Sequence, residues 1–246
     1  MPTERETIIE IKNLQKSFSG TPVLTGINLS VKKGENLVIL GKSGEGKSVT
    51  LKCITGLMVP DAGSVKVFDQ EIAEQGVDEL KSLRCRMGYL FQGSALYDSM
   101  TVRENLAFPL KRVLKIKDAE EIEKRSMQVL EEVGLADTID KMPSELSGGM
   151  RKRMALARTL IVRPEIILYD EPTTGLDTIT SKEISQLILK MQKQYQSTSV
   201  IVTHDLPCAK IIADRIVIMN HGTYVATGSF EELENSEDEF IRSFFN

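Results

Sequence analysis

One strand-to-loop junction constrains this chain more than any other feature. Leu37-Val-Ile-Leu40 is apolar throughout and runs directly into Gly41-Lys42-Ser43-Gly44-Glu45-Gly46-Lys47-Ser48. An unbroken apolar run stopped by a turn reads as a buried strand, and the following Ser48-Val49-Thr-Leu-Lys-Cys-Ile-Thr55 reads as a helix. The loop between them has its glycines, lysine and hydroxyl in the register of a phosphate-binding loop. Glycines let successive N–H groups turn toward one point, and the helix N-terminus adds about half a unit of positive charge. Gly41, Ser43, Gly44, Gly46 and Val49 are therefore expected around a nucleotide. Lys47 is expected to reach its β- and γ-phosphates, with Ser48 ligating Mg²⁺.

The rest of the chain reads as an α/β fold around that unit. Ile8 to Phe18 and Val23 to Val31 alternate apolar and polar residues, as half-buried antiparallel strands do. Further strands are expected at Ile166 to Tyr169, Ser199 to Val202 and Arg215 to Met219, with a hairpin turn at Asn220-His221-Gly222. Thr101 to Arg158 carries no strand pattern; Asp118-Ala-Glu-Glu121 has the spacing of a capping box and Gly134 closes the helix it opens. The expected architecture is one domain over residues 1–246. It has a mixed sheet with antiparallel N-terminal strands, an α-helical subdomain inserted at about 93–160, and a tail from about 230 to 246. That tail is acidic and then apolar; it is expected to pack as a terminal helix on its own core, with docking to a partner as the alternative.

Three further groups carry chemistry. Asp170 ends the apolar run Ile166-Ile-Leu-Tyr169, where it can hold Mg²⁺ through water, and the neighbouring Glu171 can polarise an attacking water. His204 follows a buried-looking strand, where it can hydrogen-bond a γ-phosphate or the attacking water; a lone histidine there is more often structural, so its assignment depends on the other motifs. Ser147-Gly148-Gly149 opens the basic helix beginning near Met150 and makes a second anion cradle. One loop already wraps one nucleotide, so the second cradle is expected to face the γ-phosphate held by another copy of the chain. Arg151, Lys152 and Arg153 are too many to be phosphate ligands and read at least in part as a solvated basic face. Glu45, inside the phosphate loop, is expected to face solvent.

Composition excludes several alternatives. A formal charge of -4 gives no basic field for nucleic acid. Cys53, Cys85 and Cys208 lack the spacing of a zinc site or disulfide framework and read as reduced thiols. Met1 to Thr7 lacks the basic and apolar run of a signal peptide, and no stretch approaches the ~18 apolar residues of a membrane span.

Gly41 to Ser48, Gln92, Leu146-Ser-Gly-Gly149, Ile167 to Glu171, Gly175-Leu-Asp177 and His204 occur in the order found in ATP-binding cassette (ABC) transporter ATPase subunits, which the chain resembles over nearly its whole length. The resemblance implies ATP hydrolysis with Asp170 as magnesium partner, Glu171 as catalytic base and Gln92 as Mg²⁺ ligand and sensor of the membrane subunit. It also implies Asp177 as a dimer contact, His204 as a switch and Phe18 as the aromatic that stacks on adenine. Met150 and the segment Gly93 to Asn105 are similar to the ATPases of Mla-type (maintenance of lipid asymmetry) systems, as is the tail. That likeness implies a homodimer in the ATP-bound state, on the cytoplasmic face of a bacterial inner membrane. It also implies separate permease subunits, an MCE-domain protein, a small accessory subunit and phospholipid as cargo. The alternative is the ATPase of another ABC system, such as a small-solute importer; a soluble ATPase of DNA repair or translation lacks support because no coiled coil, zinc insertion or second cassette is present.

Overall fold

Strands β1 (Thr7–Phe18) and β2 (Thr21–Lys32) form a long antiparallel pair; burial alternates along β2 from Ile27 to Val31, but the alternation expected through β1 is broken by register shifts that leave Ile8 and Ile9 both buried and Lys12 and Asn13 both exposed. The next strand, β3 (Asn36–Leu40), is buried at every position. Leu37 and Ile39 enter a core shared with β1 and β2, whereas Val38 and Leu40 enter a second core built with the helices. Burial on both faces is why this run shows no polar alternation. Helix α1 (Lys47–Ile54) leaves the loop after β3 and packs in the first core. Strands β4 (Ala62–Val67) and β5 (Gln70–Glu71) then complete a four-stranded antiparallel sheet in the order β2-β1-β4-β5. The N-terminal strands thus form a sheet of their own beside the mixed one. The computed structural model describes residues 5–245; the first four residues of the Met1 to Thr7 stretch, and Asn246 of the tail, lie outside the described residues.

After α2 (Val77–Cys85) and β6 (Met87–Leu90), no described residue before Ile166 is in a strand. Helices α3 (Val102–Arg112), α4 (Ala119–Glu132) and α5 (Gly148–Leu160) occupy that stretch. Thr101 and Glu104 form a reciprocal capping box at α3. Asp118 caps α4 through the Glu120 amide, but the box expected with Glu121 does not form, because Glu121 pairs with Arg125 one turn on at 2.6 Å. Asn105, fully buried, accepts from the Tyr97 amide and donates to the carbonyls of Tyr97, Met100 and Thr101. It organises the loop entering α3. Asn105→Ala leaves the Tyr97 amide and the Met100 carbonyl unpaired, whereas the Tyr97 and Thr101 carbonyls keep backbone partners, and should cost about 3 kcal/mol, read as a lower denaturant midpoint; an unchanged midpoint would show that the loop is held from elsewhere.

The chain then returns to the sheet through β7 (Ile166–Asp170), α6 (Thr178–Tyr195), β8 (Thr198–Thr203), α7 (Leu206–Ile212), β9 (Arg215–Asn220) and β10 (Thr223–Gly228). The six-stranded order is β10-β9-β3-β8-β7-β6, parallel except for β10 at one edge. His221 and Gly222 join β9 to β10 with φ of 47° and 73°, the two left-handed residues that a tight hairpin requires. In the tail, Leu233 of α8 (Phe230–Glu234) and Ile241 of α9 (Glu239–Arg242) are buried in the helix-side core, and Phe245 meets Phe230 edge to face. All three cysteines are free; burial pushes the thiols of Cys53 and Cys208 up to about 11 and about 12, which keeps both protonated and unreactive.

Candidate active site

The loop between β3 and α1 forms one wall of an open cleft of about 450 Å³. Ser43, Gly44, Gly46, Lys47, Ser48 and Val49 line it, facing Phe18, Val23, Gln92, Glu171, Thr174 and His204. Gly46 has φ 101°, and a β-carbon there would lie 2.8 Å from Leu24 and 2.9 Å from the Val23 carbonyl, so the turn requires glycine on two counts. Because Gly46 is also the N-cap, no side chain caps α1, which leaves its N-terminus to an anion. Gly41 lies outside the cleft lining, but its carbonyl accepts from the Lys47 ammonium at 2.7 Å, as does that of Lys42 at 3.0 Å. Lys47 is buried and stands 3.3 Å from Glu171 Oε1. Each of these two buried charges offsets the desolvation of the other. Glu45 turns away from the cradle as expected, yet it is half-buried rather than free in solvent, its carboxylate accepting from the His221 amide of the β9–β10 turn.

Asp170 and Glu171 are consecutive, and strand alternation alone would send their side chains to opposite faces. Glu171 breaks the alternation with φ 50°, a left-handed conformation costing about 1–3 kcal/mol at a non-glycine residue. Both carboxylates thereby reach the phosphate loop. Asp170 Oδ1 accepts from the Ser48 hydroxyl at 2.6 Å, and its Oδ2 accepts from the Tyr89 phenol at 3.0 Å. Burial, reinforced by Asp170 itself, raises the pKa of that phenol, so it stays a donor. Glu171 Oε2 accepts from Thr174 at 3.2 Å and lies 2.9 Å from His204 Nδ1. The imidazole is half-exposed and closes the solvent side of the cleft. Ser48, Asp170 and the Gln92 amide offer the hard oxygen ligands that suit Mg²⁺. Among the described residues no group of three or more His, Cys, Asp and Glu side chains could hold a metal ion.

Ser147, Gly148 and Gly149 line a different cleft, of about 840 Å³, together with Gly175, Leu176, Asp177 and Thr180. No residue lines both clefts. A β-carbon at Gly149 would come within 2.7 Å of Thr180, so this glycine is what lets α5 approach the start of α6. Ser147 Oγ accepts from the Met150 amide at 3.3 Å. Asp177 is engaged within its own chain: it accepts from the amides of Ile179 and Thr180, both at 3.0 Å, and from the Thr180 hydroxyl at 2.6 Å. Those bonds, the Thr180 hydroxyl first, hold its carboxyl below the usual range.

The basic run after Met150 is a solvated face only in part: Arg151 is exposed, Arg153 half-buried and Lys152 buried. Arg151 folds back onto the Leu146 carbonyl at 2.6 Å, and Arg153 bridges the Val133 carbonyl and Glu183. Lys152 is buried, with its ammonium 2.5 Å from the Gln92 carbonyl; burial lowers its pKa, while Glu171 and Asp170 act in the opposite sense. Sequence reasoning missed this residue because a lysine within a basic helix normally faces water. It also missed Val23, Thr174 and Tyr89, of which only Thr174 stood beside a residue already singled out.

A phosphate loop on a parallel sheet, with a buried lysine, a paired carboxylate and a second carboxylate on the loop serine, defines a P-loop ATPase. The ABC transporter family model matches residues 24–174, and the chain belongs to that family. It is the ATP-binding subunit of an ABC transporter, an ATPase that uses ATP with Mg²⁺ and couples hydrolysis to transport. Among curated relatives it is 41% identical over 238 residues to the probable ribonucleotide transport ATP-binding protein mkl of Mycobacterium leprae, covering 97% of this chain and 68% of that one. It is 41% identical over 226 residues to the methionine import ATP-binding protein MetN of Clostridium tetani, covering 92% of this chain and 70% of that one. Among solved structures it is similar to the ATP-binding cassette MJ0796 in a dimeric post-hydrolysis state bound to ADP and Pi, with TM-score 0.82, 33% identity and coverage of 91% and 99%. Likeness to cbiO1 of Clostridium perfringens, part of the cbiONQ transporter complex, gives TM-score 0.85, 30% identity and coverage of 98% and 94%.

Proposed function

We propose that two copies of this chain close head to tail around two ATP molecules and that closure drives a separate permease. One observation carries this reading: the phosphate loop and the Ser147–Gly149 face line separate clefts of one chain, and a second copy placed head to tail would bring them together. In each site Lys47 orients the terminal phosphate, and Glu171 takes the proton of the attacking water. His204 and Thr174 hold Glu171 in place. Ser48, Asp170 and Gln92 hold Mg²⁺, which when bound neutralises charge on the phosphates. Closure is favoured with ATP and lost after hydrolysis.

No helix among the described residues is long and apolar enough to cross a membrane. The proposed place of the chain is the cytoplasmic face of a membrane, peripheral to its permease. A groove of about 210 Å³ between Phe91, Ala95, Pro109 and Arg158, next to Gln92, is the proposed seat of a permease helix. For cargo, the names of the mycobacterial and clostridial relatives favour a small solute such as a nucleotide or an amino acid. Phospholipid transport with an MCE-domain partner is the second reading, favoured by Met150 and the Gly93 to Asn105 segment. Mass spectrometry of the complex copurified from gently solubilised membranes separates them. A solute permease without an MCE-domain protein is the expected outcome of the first reading; an MCE-domain protein with bound phospholipid would replace it with the second.

A further inference from the structure

We infer that Lys152 is the positioning residue that couples one ATP site to the other, by fixing the backbone at Gln92 to the helix that carries the Ser147–Gly149 face. The inference rests on the head-to-tail dimer proposed above. Lys152 is 6% exposed and donates to the Gln92 carbonyl at 2.5 Å. Further along the same helix, Arg158 donates to the Ala95 carbonyl at 2.5 Å and lies 4.4 Å over the Tyr97 ring. Between these anchors Ser94 and Ala95 are both left-handed, with φ of 65° and 49°. Two successive non-glycine residues hold that conformation only when their surroundings impose it, and the two cations of α5 are those surroundings. An apolar side chain of similar length would fill the Lys152 site without the cost of burying an ammonium, so what the lysine contributes is the bond it makes.

The same helix reaches both sites. Its N-cap, Ser147, lies about 7.5 Å along the axis from Lys152, by the rise of an α-helix. Met154, Leu156, Ala157 and Leu160 are buried in the core, so α5 moves as a rigid body. In the dimer its N-terminus meets the nucleotide held by the partner, while Lys152 grips the backbone of Gln92, whose side chain lines the chain's own cleft. Occupancy at one site is thereby transmitted to the other.

Hydrogen exchange tests this in a chain carrying Glu171→Gln, incubated with MgATP and compared with the nucleotide-free state. With Lys152 present, dimerisation should protect residues 147–150 and slow exchange across residues 93–97 by about tenfold. With Lys152→Met added, protection at 147–150 should remain while exchange at 93–97 no longer responds; Lys152→Arg should restore the response. Lys152→Leu, run in parallel, likewise removes the donor and guards against a folding defect peculiar to methionine. An unaltered response at 93–97 in either variant that folds would overturn the inference. Failure of the Lys152-containing chain to dimerise would instead overturn the dimer reading, and the inference with it.

Discussion

Lys47→Ala should weaken ATP binding about 100-fold and leave no measurable turnover. The ammonium is buried at the cleft floor, where its hydrogen bonds to the Gly41 and Lys42 carbonyls fix its position before any nucleotide arrives. A charge-assisted bond in such a place is worth about 1.5–3 kcal/mol, and one lysine can contact oxygens of two phosphates. Stability changes as well. Alanine strands the Glu171 carboxylate, buried and 3.3 Å from the missing charge, and breaking a buried pair by removing one partner typically costs about 3–5 kcal/mol. Nucleotide titration of the folded fraction separates the two effects. Wild-type affinity in a destabilised chain would show that Lys47 serves the fold and not the phosphate.

Glu171→Gln should lower kcat by about 10³ while ATP affinity is kept or increased. Loss of a positioned general base accounts for about 10²–10⁴ in rate. Binding moves the other way because the substitution removes a buried negative charge that would face the terminal phosphate. The amide can still accept from Thr174 and meet His204, so the local hydrogen bonds survive. A variant that hydrolyses at the wild-type rate would remove Glu171 from the chemistry and leave its left-handed backbone without a functional reason.

Much of this was legible in the residues. The β3–α1 unit could be read because burial on both faces abolishes alternation and the loop that follows has a demanding register. Asp170, Glu171 and His204 stand at strand ends, where an apolar run makes a polar residue conspicuous. The separate antiparallel sheet was not legible: β4 begins Ala62-Gly-Ser64, too weak a pattern to announce the partner that draws β1 and β2 away from the mixed sheet. Lys152 was hidden for a related reason. Its burial is decided by a loop 60 residues earlier, and no local pattern records that contact. Thr101 to Glu104 carried the spacing of a capping box as openly as Asp118 to Glu121 did. Only the first closes, because the neighbouring Arg125 claims Glu121.

The central claim is that ATP, and not the chain alone, assembles the complete site. Light scattering on the Glu171→Gln chain during size exclusion, in MgATP and then in MgADP, tests it most directly. Twice the 27.4 kDa chain mass is expected in MgATP and a single chain in MgADP, with the ATP-dependent species abolished by Ser147→Arg in the second cleft. One chain in both nucleotides, or a dimer indifferent to nucleotide and to Ser147, would contradict it.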